Sequence, residues 1–209
     1  MFATAIAPAD AASHQYLLDS MFRLRARVFG ARLKWQVTVE DGRERDPFDA
    51  LTASYIIIVD EGGEAIASAR LLPALGPTML VDVFPELLGD RPFVPHARMV
   101  ESSRFCVDTE TNPAATGAFG LNEATVFLFA GILEWCLAND MTEIATVTDL
   151  RFERILKRAA WPLSRYGKPR LIGNVMSVAG SLPVSQQLFQ ALRPPAYRST
   201  LSSSFRCAA

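Results

Sequence analysis

Along residues 14–29 the apolar positions Leu17, Met21, Leu24 and Val28 recur at helical spacing, predicting a helix with one buried face. Its polar side carries Arg23 and Arg27, with Arg25 at the margin. The next stretch, "GARLKWQVTVEDGRERDPFDA", is polar and rich in turn formers and predicts a long ordered loop. "SYIIIVD" and "EAIASARLLP" are two apolar runs joined by "EGG", the signature of a β-hairpin. "GPTMLVDVFPELL" predicts short helical pieces, and residues 97–107 a buried strand. "TETNPAATGAFG" reads as a loop, whereas "LNEATVFLFAGILEWCLAND" is apolar almost all round and predicts a deeply buried helix. "EIATVTD" alternates as a strand, "LRFERILKRAA" reads as a basic helix, and "RLIGNVMSVAG" as another strand. The serine-rich end, residues 195–209, is expected to be a flexible tail. No internal repeat is visible. Mixed strands and helices, with a β-helix-β unit at 142–178, predict one domain over 1–209. Its class is α/β, a three-layer α/β/α sandwich with a mixed central sheet.

Composition narrows the class of function. A chain of 209 residues, half hydrophobic and one-fifth charged, has the balance of a globular domain with one sizeable core. No apolar run approaches the ~20 residues of a membrane span. The opening "MFATAIAPAD" lacks the basic start of a secretory signal. Cys106, Cys136 and Cys207 show no CxxC spacing, and His14 lies far from His96, which argues against a zinc site. A reduced cytoplasm is the expected compartment.

The net charge of −1 conceals an asymmetry. Residues 1–150 hold 11 Lys and Arg against 21 Asp and Glu, whereas residues 151–209 hold 10 against the single acid Glu153. Either the two halves interleave and cancel, or the basic part forms a face for an acidic partner. No nucleic-acid motif accompanies the charge.

Polar residues that interrupt apolar strands form one set. Arg70 ends "AIASAR", Glu101 and Arg104 sit inside "ARMVESSRFCVD", Arg25 lies on the first helix, and Glu44, Asp46 and Asp49 lie in the acidic loop. A lone buried charge costs several kcal/mol, so cross-strand pairing such as Arg70–Glu101 is one expectation. The other is a polar cleft for a charged small molecule, with Phe29, Trp35 and Phe84 as aromatic walls suited to a cation.

These residues carry a resemblance. "RARVF" with Arg25 and Phe29, then Trp35, "ERDPFD" with Glu44, Asp46 and Asp49, Arg70, "TMLVDVFPELL" with Phe84, and "VESSRF" with Glu101 and Arg104 resemble the acyl-homoserine-lactone synthases, the LuxI-type autoinducer synthases. The resemblance runs from about residue 15 to 180, and "TDLRFERILKRAAW" is similar to the TraI-type branch. It implies a fold like that of the GNAT acetyltransferases. It also implies a two-step reaction: the amine of S-adenosylmethionine attacks an acyl thioester on acyl carrier protein, and the methionine carboxylate then closes a lactone and expels methylthioadenosine. No metal or permanently bound cofactor is required.

By the same resemblance, Glu101 or Glu44 is the base, acting directly or through water, with Arg70 and Arg104 catalytic beside them. Arg104, or backbone N–H groups where strands splay, would polarise the thioester oxygen. Arg25, Phe29, Trp35, Asp46, Asp49, Phe84 and Ser103 would hold S-adenosylmethionine. Thr146 matches a threonine whose hydroxyl meets an oxygen on the third carbon of the acyl chain. An apolar tunnel between sheet and buried helix is expected for the chain itself, with Phe127, Leu128, Met99 and Met176 as candidate wall residues that are equally explicable as core. Arg151, Arg154, Lys157 and Arg158 on the basic helix would dock the acidic carrier, or acyl-CoA would replace it. An ordinary GNAT enzyme acylating another amine and a non-catalytic carrier-binding protein are the rivals. The loop "TNPAATGAFG" lacks the R/Q-x-x-G-x-G/A pattern by which GNAT enzymes cradle a pyrophosphate, which weighs against the first. The intact charged set weighs against the second.

Overall fold

The structure is a computed structural model and describes residues 1–89, 93–110 and 117–201. Ten strands are present among these residues: β1 (Phe2–Ile6), β2 (Val39–Glu40), β3 (Arg43–Glu44), β4 (Ser54–Val59), β5 (Ala65–Pro73), β6 (Met99–Val107), β7 (Glu143–Asp149), β8 (Ser164–Arg165), β9 (Arg170–Ile172) and β10 (Val175–Pro183). The α-helices are α1 (Gln15–Arg25), α2 (Met79–Asp82), α3 (Glu123–Ala138), α4 (Leu150–Arg158) and α5 (Gln186–Leu192). The central sheet runs β1-β4-β5-β6-β7-β10-β8, with β9 also on β10, and β2 and β3 form a separate ribbon. All neighbours are antiparallel except β6 and β7, so the sheet is mixed. The parallel crossover is therefore β6-α3-β7, and the unit at 142–178 is an antiparallel pair spanned by α4.

Alternation along the strands separates two layers. Ile56, Ile58, Ala69, Leu71, Val100 and Val107 pack with α3, α4 and α5 on one face. Tyr55, Ile57, Val59, Leu72 and Cys106 pack with α1 on the other, and Met99, Ala145 and Ala179 pack there with Leu80 of α2. Helix α3 is buried nearly all round because sheet, α5 and the C-terminal segment all cover it. At Gly131 an added Cβ would stand 3.0 Å from Ile56 Cγ2 and 3.3 Å from Ala3 Cβ, so glycine here lets helix and sheet approach closely.

Three differences from the sequence reading have physical causes. Residues 170–180 form two strands, not one, because Gly173, with φ of +59°, turns β9 back onto β10. Strand β1 was not expected, since its five residues acquire a face only by pairing with β4. The flexible tail expected for 195–209 does not describe its first part. Thr200 N–H donates to Ala3 O at 3.0 Å, the Tyr197 hydroxyl to Glu134 Oε2 at 2.7 Å, and Leu201 is fully buried. Residues 202–209 lie outside the described residues.

Candidate active site

The helix predicted over 14–29 changes character at Ala26. From there to Arg32 the backbone is π-helical, with Leu33 N–H donating to Val28 O, and a widened turn of this kind carries Phe29. Trp35 lies flat against Phe29, with ring centroids 5.1 Å apart and planes 13° off parallel. Beyond it, Asp46 and Asp49 cap the short 3₁₀ turn Pro47–Ala50 reciprocally: Asp46 Oδ1 accepts from Phe48 N–H and Asp49 Oδ2 from Asp46 N–H. That cap fixes both carboxylates over the α1 face of the sheet.

There they meet three arginines. Arg25 Nε donates to Glu44 Oε2 at 2.5 Å, and its terminal nitrogens grip Asp49 at 2.8 and 2.9 Å. Arg70 donates to Asp46 at 2.5 and 3.0 Å, to Asp49 at 2.8 Å and to the Ser103 hydroxyl at 3.1 Å. Arg104 reaches Glu44 at 3.1 Å and Asp46 at 2.7 Å. Three cations and three carboxylates thus close one network. Arg25, Arg70 and Glu44 are at most 1 % exposed, whereas Arg104 at 12 % and Asp46 at 11 % are the members that reach the surface. The Arg104 guanidinium also sits 5.6 Å over the Phe29 ring.

How Arg104 gets there is a matter of strand register. Ser68 pairs with Cys106, but Arg70 pairs with Ser103, so β6 holds one residue more than β5 across this step. Arg104 takes the extra place with φ of +52°, a left-handed backbone that non-glycine residues rarely adopt. The bulge turns Ser103 and Arg104 to the same face, after which Phe105 returns to the α3 side. On the opposite edge of β6, the parallel ladder with β7 runs from Met99–Glu143 to Ser102–Thr146 and ends. At that last rung the buried Thr146 hydroxyl donates to Ser102 O at 2.8 Å.

Glu101 is placed differently from the expected pairing. Arg70 takes Asp46, Asp49 and Ser103 as its partners, and Glu101 instead accepts the N–H groups of Met79 (3.0 Å) and Leu80 (2.6 Å) at the start of α2. In the sheet Arg70 stands opposite Ser103, and Leu72 opposite Glu101, while the acidic loop brings carboxylates closer to Arg70. Burial holds the Glu101 carboxyl above its ordinary pKa, offset in part by the two N–H donors and by the charge of Arg70. Asp49 behaves oppositely: burial works to raise its pKa, but Arg25 and Arg70 outweigh it and hold the carboxyl well below the usual range.

Other expectations divide. Arg25, Phe29, Trp35, Glu44, Asp46, Asp49, Arg70, Ser103 and Arg104 converge as one cluster, joined by contacts between them. Phe84 packs apart from the Phe29–Trp35 stack, with Leu80 and Leu87. The four tunnel wall residues do not line one space. Phe127 and Leu128 belong to the α3 face, Met99 to the α2 face, and Met176 is 42 % exposed. Arg151, Arg154, Lys157 and Arg158 are exposed on α4. Two members of the site escaped the sequence reading. Tyr55 donates its hydroxyl to Asp49 at 2.8 Å, and the Met79 thioether lies 3.1 Å from Arg70 Nη2. Tyr55 looked like one more apolar residue of "SYIIIVD", although its hydroxyl on the α1 face was a signal. No helix among the described residues is long and apolar enough to cross a membrane.

Comparison with known proteins agrees with this geometry. The family profile described as Autoinducer synthase matches residues 10–192. A probable acyl-homoserine-lactone synthase of Sinorhizobium fredii (strain NBRC 101917 / NGR234) is 53% identical over 189 residues, 90% of each chain. Among solved structures, the AHL synthase LasI superposes with a TM-score of 0.78 at 30% identity, covering 91% of this chain and 93% of its own. BjaI, a CoA-dependent acyl-homoserine lactone synthase solved with SAM and isopentyl-CoA, shares the fold with a TM-score of 0.82 at 22% identity, covering 95% of this chain and 92% of its own. The GNAT-like three-layer fold expected from the sequence is the fold observed. The chain belongs to the autoinducer synthase family, that of the acyl-homoserine-lactone synthases, and is an acyltransferase.

Proposed function

We propose that the enzyme joins S-adenosylmethionine to an acyl chain delivered as a thioester on acyl carrier protein, and then closes the homoserine lactone. The observation that carries this reading is the closed Arg25–Glu44–Asp46–Asp49–Arg70–Arg104 network beside the Phe29–Trp35 stack, at the point where β6 and β7 stop pairing. A balanced buried network holds a rigid wall without excess charge, and the aromatic stack beside the partly open Arg104 suits a zwitterion bearing a sulfonium.

In the first step the neutral amine of S-adenosylmethionine adds to the thioester carbonyl. The new C–N bond forms, the excess proton on nitrogen leaves to a base, and the C–S bond breaks to release the carrier thiol. An α-amino group titrates near ~8, so a modest base suffices. Glu101 suits this task better than Glu44. Its carboxyl is held by two N–H groups and has a raised pKa, whereas each Glu44 oxygen faces a guanidinium. The backbone N–H groups of β6 beyond Ser102 are free of the β7 ladder and are the donors we assign to the developing oxyanion. In the second step the methionine carboxylate attacks its own γ-carbon and the C–S⁺ bond breaks, releasing methylthioadenosine. The sulfonium leaves without protonation, so this step needs positioning more than acid catalysis.

Thr146, at the last rung of the ladder, would meet an oxygen on the third carbon of the acyl chain. Arg151, Arg154, Lys157 and Arg158 would receive the acidic carrier. Both substrates are cytoplasmic metabolites, and the free thiols of buried Cys106 and Cys136 suit that compartment.

The test is mass spectrometry of the organic extract from a bacterial host that supplies both substrates and makes no lactone. A homoserine-lactone fragment with one dominant acyl mass is expected. Purified protein that releases no methylthioadenosine with any of a range of carrier-bound and CoA-bound donors would overturn the reading.

A further inference from the structure

Leu171 and Met176 face each other across the β9–β10 hairpin and are 64% and 42% exposed. Strand positions an even number apart share a face, so Met176 points to the side of Leu182, which packs with Leu156 of α4 in the α3-side core. The pair therefore looks out from the same side of the sheet as the basic helix. Between α4 and the segment that leads into β8 lies a groove of about 500 Å³, lined by Arg154, Lys157, Pro162, Leu163 and Arg165 among others. Strands β8 and β9 both pair with β10 on its edge away from β7, so groove and hairpin are neighbours along that edge.

Charge and polarity are distributed unevenly here. Glu153, the one acid of residues 151–209, is held by Arg165 through two contacts of 2.5 Å, leaving Arg154 and Lys157 exposed without a carboxylate contact among the described residues. Lys168 and Arg170, just before and at the start of β9, are exposed as well. An exposed apolar cross-strand pair on an edge strand is a surface that β-proteins ordinarily keep covered.

We propose that the β9–β10 hairpin is the apolar anchor of the donor-docking surface. An acidic amphipathic helix of the acyl carrier protein lies in the groove, its carboxylates against Arg154 and Lys157 and its apolar side against Leu163, Leu171 and Met176. The inference rests on the reading of α4 as the helix that receives the carrier. A coenzyme A donor offers phosphates but no apolar helix face, and would use the cations while leaving Leu171 and Met176 idle.

The test compares two double variants, Leu171→Ser with Met176→Ser, and Arg154→Glu with Lys157→Glu. Each is assayed with an acyl chain on carrier protein and with the same chain on bare pantetheine. The serine pair is expected to raise KM for the carrier-bound donor about tenfold more than KM for the pantetheine thioester. An unchanged melting midpoint checks that it folds, and Leu171→Gln alone serves if it does not. A serine pair without effect, beside a charge reversal that raises KM, overturns the hairpin's role and leaves α4 docking standing. If neither pair moves KM, the docking reading fails and this inference with it. A wild-type dimer in sedimentation that the serine pair dissociates, with KM unchanged, overturns it in favour of a contact between copies.

Discussion

Replacing Asp49 by Asn keeps the shape of the side chain and removes its charge. The two carboxylate oxygens accept from both terminal nitrogens of Arg25, from Arg70, from the Tyr55 hydroxyl and from Asp46 N–H, all at 2.8–2.9 Å. An amide has one oxygen to offer, and its NH₂ would point donors at guanidinium donors. Removing one partner of a buried ion pair costs about 3–5 kcal/mol, against a total stability of about 5–15 kcal/mol. For a chain of this length each kcal/mol moves the melting midpoint by about 2–4 °C, so Asp49→Asn should melt about 6–20 °C lower. The pH dependence supplies a second reading of the same contact. Because Arg25 and Arg70 outweigh burial and depress the Asp49 pKa in the folded state, its contribution is complete above the unfolded value of about 3.9. It is lost as pH falls through that value toward the folded one. The wild type should therefore shed stability below about pH 5 more steeply than Asp49→Asn, in which the group cannot titrate. Circular-dichroism melts at neutral pH and near pH 4 measure both effects. A midpoint within about 2 °C of wild type at neutral pH would show that the network does not carry this energy.

Glu101→Gln should lower kcat by about 10²–10⁴-fold, since an amide cannot take the proton. In the wild type two deprotonations, of the substrate amine near ~8 and of Glu101 at a value that burial holds above that of an ordinary glutamate, should steepen the acid side of the pH–rate profile from a slope of one to a slope of two; the variant should keep only the slope of one, and a slope of two that persists assigns the base elsewhere. Thr146→Val removes the hydroxyl at the last β6–β7 rung and should reduce the preference for donors bearing an oxygen on the third carbon by about 2–10-fold, measured by competition between paired donors. Trp35→Ala unstacks Phe29 and should raise KM for S-adenosylmethionine by about 3–30-fold while hardly moving the melting midpoint, because Trp35 is 38% exposed; a KM unchanged within error removes Trp35 from the binding site.

What the sequence made legible was whatever is written in periodicity or in conspicuous charge. The stripe Leu17–Met21–Leu24–Val28, the Gly-turned hairpin, the all-round apolar α3 and the basic α4 are local patterns, and each formed where expected. The charged residues were legible as a set, since Arg70, Glu101 and Arg104 contradict the strands that hold them. Their partners were not. With Arg70 ending one strand and Glu101 inside another, pairing the two was reasonable, but only the folded position of the acidic loop puts Asp46 and Asp49 nearer to Arg70. The bulge was equally hidden, because its left-handed residue is an arginine, with no glycine or asparagine to mark it. Residues Leu171 and Met176 read as strand interior until Gly173 divided that strand and left them on an edge.

The added residue in β6 lies just past the last rung with β7, and the two facts belong together. A bulge bends and twists its strand, so the place where Arg104 is inserted is also where β6 is free to part from β7. Removing Arg104 would restore plain alternation from Glu101 to Val107 without moving Phe105 or Val107 out of the α3-side core. The same deletion would allow β6 to continue pairing with β7 toward Asp149 and so seal the gap between them. One inserted residue thus acts as a wedge and as a tool: it bends β6 just past its last rung with β7 and carries a cation to Glu44 and Asp46 on the α1 face. Grafting the charged side chains onto an unbroken sheet would reproduce the tool but not the door.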